Sequence, residues 1–162
     1  MAGVRADLPV LHAAVSALLA AHSVSFTLNG QVWVCARYCA LYRRDPAALE
    51  RILVRVAVTL TRQRWLEEAA LIGSRGGGTQ RFGSRSDLDL RLIFPPGPLA
   101  WLRTNLLLLR LRTVAFLRAI PLDLYAYDTP ESLRRHDQRE RLLLILDRRG
   151  RLAAAFPERV AR

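Results

Sequence analysis

The chain has 162 residues, a length that suits one main core rather than two independent ones. Its residues are 51% hydrophobic and 24% charged, which excludes collagen-like, low-complexity and extensively disordered classes. All 25 basic residues are Arg and none is Lys; against 14 acidic residues the net charge is +11. Without Lys there is no Schiff-base chemistry and no Walker-type phosphate loop. The guanidinium surplus favours anionic partners such as nucleoside triphosphates, nucleic acid or an acidic protein surface, and a coding preference for Arg over Lys accounts for part of it.

Residues 6–22 carry apolar side chains at Leu8, Leu11, Val15, Leu18 and Leu19, the spacing of a helix with one apolar face. Arg5 followed by an apolar run resembles a secretory leader, but Asp7 and His12 interrupt it and no small-residue cleavage site follows, so a helix is expected. Ser23–Leu28 and Gln31–Tyr38 alternate loosely around Asn29-Gly30 and predict a hairpin. Asp45-Pro46 reads as an N-cap and first helical residue, opening a helix to about Trp65 through Leu49, Ile52, Val56 and Leu60. Cys35 and Cys39 form neither a disulfide framework nor a zinc site by themselves, consistent with a reducing compartment.

From Ala69 the chain reads as a short buried strand ending at Gly73, followed by a loop with Gly76, Gly77, Gly78 and Gly83. Asp87–Phe94 alternates polar and apolar residues as a half-buried strand does, until Pro95-Pro96-Gly97-Pro98 breaks it. A long helix over residues 99–119 follows, with Leu106–Leu109 expected as its buried side, then a strand over Pro121–Tyr127 and a short helix from Thr129. A last strand runs over Leu142–Leu146 and turns at Arg149-Gly150. The predicted fold is α/β: a small mixed sheet with packed helices over residues 66–162, preceded by a helical or hairpin extension over residues 1–65.

Asp87 and Asp89 are two apart on a strand, so both leave the same face while Leu88 and Leu90 point into the core. Strands disfavour Asp, and two adjacent like charges are usually kept ionised by a divalent cation between them, for which Mg2+ is the natural candidate. Glycines after residue 72 let backbone N–H groups approach phosphate oxygens, and Ser74 adds a hydroxyl. Arg75, Arg81 and Arg85 either clamp a triphosphate or belong to a solvated loop. Ser86 either touches ligand or stabilises the turn before the Asp pair. The histidines His12, His22 and His136 have no partner at hydrolase spacing, and Trp33, Trp65 and Trp101 are expected in the core. The cluster Arg134, Arg135, Arg139 and Arg141 is expected to be a solvated surface rather than an acceptor-binding patch.

Gly73-Ser74, a twelve-residue spacer and then Asp87-Leu88-Asp89-Leu90 resemble the signature of the DNA-polymerase-β-like nucleotidyltransferase superfamily, and most of all its minimal nucleotidyltransferases. The resemblance covers roughly residues 66–150 and does not extend to residues 1–65. It implies a cytoplasmic enzyme, with no membrane association, that transfers a nucleoside monophosphate from a triphosphate, ATP being expected, to an acceptor hydroxyl with Mg2+ and release of pyrophosphate. Gly73, Ser74, Arg75 and Ser86 would then bind the nucleotide. Asp87, Asp89 and a third carboxylate, Asp123 in Pro-Leu-Asp-Leu-Tyr, would be the catalytic metal ligands, with Asp128 a competing choice for the third. The acceptor in such enzymes is a protein, including HEPN-type toxins of toxin–antitoxin pairs, or an antibiotic or RNA. The alternative from another class is a non-catalytic module that keeps the fold and binds RNA or a protein through its Arg-rich surface.

Overall fold

The computed structural model describes residues 8–28, 31–36, 38–39, 45–73, 82–83, 85–135 and 140–160. Among the described residues the chain runs α1 (Leu8–Leu28), α2 (Gln31–Ala36), α3 (Pro46–Thr61), β1 (Glu68–Gly73), β2 (Leu88–Ile93), α4 (Pro98–Leu117), β3 (Leu122–Tyr127), a 3-10 helix (Pro130–Arg135), β4 (Arg141–Asp147) and α5 (Arg151–Ala155). The expected α/β class with a small mixed sheet and packed helices is what the chain adopts.

Strand order is β3-β2-β1-β4. β1 lies antiparallel to both β2 and β4, whereas β2 and β3 are parallel, joined by the crossover through α4. The alternation in β2 buries Leu88, Leu90 and Leu92 against Leu49, Leu53 and Leu60 of α3 and Leu107, Leu108, Leu111 and Ala115 of α4. The apolar cluster thus takes residues from both sides of residue 65. A second cluster, around Ala70, Ile72, Leu133, Leu142, Leu152 and Phe156, covers part of the sheet with the 3-10 helix and α5.

α3 starts as its sequence predicts: the Asp45 side chain accepts the Ala47 backbone N–H at 3.0 Å, and Pro46 follows it into the first turn. It ends at Thr61, short of Trp65. Arg148 donates to the carbonyls of Thr61 (2.9 Å) and Leu66 (3.1 Å), satisfying acceptors where the helix gives way to the approach to β1. Leu107 and Leu108 are buried but Leu106 and Leu109 are exposed, correcting the expectation for the four-residue run, because four consecutive helical residues sweep nearly the whole circumference. Trp101 is 58% exposed and so is not a core residue.

The hairpin expected around Asn29-Gly30 is overturned: residues up to Leu28 continue α1, and Gln31–Ala36 form α2; Asn29 and Gly30 themselves lie outside the described residues. A two-stranded hairpin with no sheet to join is marginal in water, while a helix already nucleated in the Leu- and Ala-rich segment propagates at low cost. The helical turn also lets Trp33 pack against Phe116 of α4, with ring centroids 6.1 Å apart, and donate its Nε1–H to the Phe116 carbonyl at 2.9 Å. Every side chain described from Pro9 to Phe26 is exposed. By length and composition Pro9–Thr27 is apolar enough to cross a membrane.

At the far end of β1, Glu67 and Glu68 are buried. Arg151 bonds both, donating from Nε to Glu68 Oε1 at 2.5 Å and from Nη2 to Glu67 Oε2, and Arg149 reaches Glu67 at 2.6 Å. Burial pushes the Glu68 carboxyl above its ordinary value despite Arg151, with Asp147 and Glu67 adding to the rise. Asp147 accepts the Ala153 N–H at 2.9 Å and so fixes the start of α5.

Candidate active site

β1 ends at Gly73 with φ +116, a conformation that side-chain-bearing residues rarely adopt. Antiparallel pairing sets Ile72 opposite Asp89, and a Cβ placed on Gly73 would stand 3.7 Å from Asp89 Oδ2. The glycine where the phosphate-binding turn was expected therefore borders the second carboxylate of the pair. Ser74, Arg75 and Arg81, together with Gly76, Gly77 and Gly78, lie outside the described residues.

On the other side of β2, parallel pairing sets Asp89 opposite Asp123. Leu88 donates its N–H to the Pro121 carbonyl at 2.9 Å, which locks this register one residue before Asp89. Asp87, immediately before β2, is half-buried like Asp89 and Asp123. The structure thus brings Asp87, Asp89 and Asp123 to one region, at the end of the sheet where β1 finishes and β2 and β3 begin. Asp128 lies at the opposite end of β3, exposed to solvent, which leaves Asp123 as the third carboxylate.

Asp89 carries the electrostatic signature of this crowding. Its carboxyl is pushed from an ordinary 3.8 up to about 7, first by burial and then by the charges of Asp87 and Asp123; Glu140 adds to the rise and Arg91 opposes it. Arg91 continues the Asp87, Asp89 alternation along β2. It is 6% exposed, donating from Nη2 to Asp123 Oδ2 at 3.1 Å and from Nη1 to the carbonyls of Asp123 (3.2 Å) and Leu90 (3.1 Å). Its guanidinium carbon lies 5.0 Å from the centre of the Tyr125 ring, the residue it opposes across the parallel pair. Arg112 of α4 reaches the same edge strand, donating to the Leu124 carbonyl at 2.5 Å with its guanidinium 5.9 Å from the Tyr125 ring. Burial pulls the Arg112 pKa down, and Tyr125 and Asp123 oppose that fall.

Ser86 closes a turn: its Oγ accepts the Gly83 N–H at 2.9 Å and its own N–H donates to the Gly83 carbonyl at 3.1 Å. Of its two expected roles, the structure describes the turn-stabilising one. Arg85 is exposed. No three His, Cys, Asp or Glu side chains among the described residues are drawn together as a ready-made metal cage. The donor types nevertheless suit a hard divalent cation: carboxylate oxygens only, with the Asp89 carboxyl pushed up first by burial and then by Asp87 and Asp123.

Arg91, Tyr125, Arg112 and Glu140 were missed as neighbours of the carboxylates. For Arg91 the signal was present, since the alternation that aligns Asp87 with Asp89 aligns Arg91 as well. Arg112 reaches the site only through the packing of α4 on β3, and no local pattern announces that. Comparison of the chain with protein-family models and with curated proteins finds no match.

Proposed function

We propose that this chain is a Mg2+-dependent nucleotidyltransferase that moves a nucleoside monophosphate from a triphosphate, ATP being expected, to a hydroxyl group on an acceptor, a protein such as a HEPN-type toxin being one acceptor class to test. The observation that carries this is the register of β2 against its two neighbours, which sets Asp89 beside Gly73 on one side and opposite Asp123 on the other. Asp87 and Asp89 would hold the cation, which when bound neutralises charge on the phosphates and the departing pyrophosphate. Gly73 leaves room beside Asp89 for a phosphate group. Asp123 accepts a hydrogen bond from the acceptor hydroxyl and takes its proton as the oxygen–Pα bond forms and the bond from Pα to the bridging oxygen breaks. The proposed place of action is the cytoplasm, where triphosphates are available.

The test is incubation with labelled nucleoside triphosphates and Mg2+, with the product of the neighbouring gene as acceptor and self-labelling as control. Label should pass to the acceptor with the wild-type chain and not with Asp87→Ala or Asp89→Ala at retained folding. Undiminished transfer by both variants refutes the proposal. Calorimetry separates it from an RNA-binding module, which would show salt-dependent RNA affinity and no Mg2+-linked triphosphate binding.

A further inference from the structure

Between α3 and α4 lies a slot of about 150 Å³ that the carboxylate centre does not use. Val56 of α3 and Leu111 of α4 line it, as do Leu88 and Leu122, the first residues of β2 and β3. Strand alternation turns those two leucines to the face opposite Asp89 and Asp123, so the slot lies on the core side of the sheet. Thr59 borders the slot, but its hydroxyl donates to the Arg55 carbonyl of its own helix at 2.8 Å. Water there finds too few polar partners to be held, whereas a dry apolar cavity of such a size takes a molecule as large as benzene. Arg55, Arg110 and Arg118 border the same slot and are exposed to solvent, and no carboxylate among the described residues lines it. No ion pair among the described residues engages Arg55 or Arg110.

We propose that this slot binds a small anionic amphiphile, with an apolar body of about six carbons between the helices and a carboxylate or phosphate head paired with Arg55 and Arg110. The two parts of the ligand answer two separate features. Burial of the body removes apolar surface of both ligand and slot from water, and the head meets the guanidinium groups at the rim. Neither a neutral hydrocarbon nor a hydrophilic anion satisfies both. The slot is too small for a helix, which with its side chains is about 10–12 Å across, so a second copy of the chain could insert no more than a side chain. The inference is independent of nucleotidyl transfer, because no residue that lines the slot belongs to the carboxylate centre.

Titration of the full-length chain with butanoate, hexanoate and decanoate, followed by heteronuclear NMR, tests this. Affinity should rise about fourfold per added methylene and level off once the body exceeds about six carbons. The resonances that move should be those of lining residues such as Ala115 and Leu122, not those of the exposed helix α1. Hexylamine, with the same body and the opposite charge, should bind about tenfold more weakly than hexanoate, and Arg110→Gln should weaken hexanoate by about tenfold while leaving hexanol unchanged. Comparison of hexanoate with hexyl phosphate identifies which head is preferred. Val114→Phe fills the slot from a position that is 40% exposed and should abolish binding. Equal binding of hexylamine and hexanoate, undiminished hexanoate affinity in Arg110→Gln, or shifts confined to α1 would each overturn the inference. A dimer that hexanoate leaves intact and Val114→Phe dissolves would assign the slot to a second copy and overturn it as well. Should Val114→Phe fail to fold, the hexylamine comparison and Arg110→Gln decide the question.

Discussion

Asp89→Asn should stabilise the metal-free protein at neutral pH while destroying the site. The Asp89 carboxyl holds its proton more tightly in the folded chain, at about 7, than its ordinary value of 3.8 allows in the unfolded one. Its contribution to stability is therefore most favourable below pH 3.8 and is lost as pH rises towards 7. That displacement corresponds to about 4 kcal/mol once the group is ionised in both states. Asn has nearly the same shape and no charge to desolvate, so Asp89→Asn should recover about half or more of this, roughly 2–4 kcal/mol. Urea unfolding in EDTA at a series of pH values measures it. The curves of wild type and variant should nearly coincide at about pH 4 and separate as pH rises, the variant's midpoint moving to higher urea with no change in slope. Added Mg2+ should then stabilise the wild type by mass action and leave the variant unmoved. A variant equal to or weaker than the wild type at neutral pH, with a gap insensitive to pH, would refute the assignment of repulsion and burial as the cause.

Gly73→Ala should cost about 1–3 kcal/mol, because φ +116 strains any side-chain-bearing residue even though the added Cβ would meet Asp89 only at contact distance. Thermal unfolding measures the loss, and a melting temperature unchanged from wild type would contradict it. Arg151→Met leaves Glu67 and Glu68 buried without their shared partner and should cost about 3 kcal/mol. Because the Glu68 pKa is already raised, that cost should be larger at pH 8 than at pH 5; equal losses in melts at the two values would speak against it. Leu90→Ala, at a fully buried position on the core side of the strand that carries Asp89, should cost about 2–5 kcal/mol, read as a fall in urea midpoint.

The β2 pattern shows how closely strand chemistry can be followed from sequence. Alternation alone put Leu88 and Leu90 in the core with Asp89 between them half-buried, because a strand repeats every two residues whatever its neighbours are. The Asp45-Pro46 start of α3 was equally legible, since capping is a contact between residues two apart. The expected hairpin at Ser23–Tyr38 failed because its local signals favour extended chain while the competing answer came from elsewhere: helix propagation from upstream and a docking contact between Trp33 and Phe116, 83 residues away.

Composition and residue order by themselves determined that this is an α/β chain rich in guanidinium, that Asp87 and Asp89 flank the buried Leu88, and that a glycine closes the preceding strand. These are properties of neighbours along the chain, governed by helix and strand periods. The resemblance had already named Asp123; that it lies opposite Asp89, and that Arg91 meets it, was decided only by tertiary structure. The parallel register of β2 and β3 sets Asp123, not Asp128, opposite Asp89, and sets Arg91 opposite Tyr125, from where its side chain reaches back to Asp123. Sheet registry is a long-range arrangement set by how whole elements pack, so no short stretch of sequence encodes it.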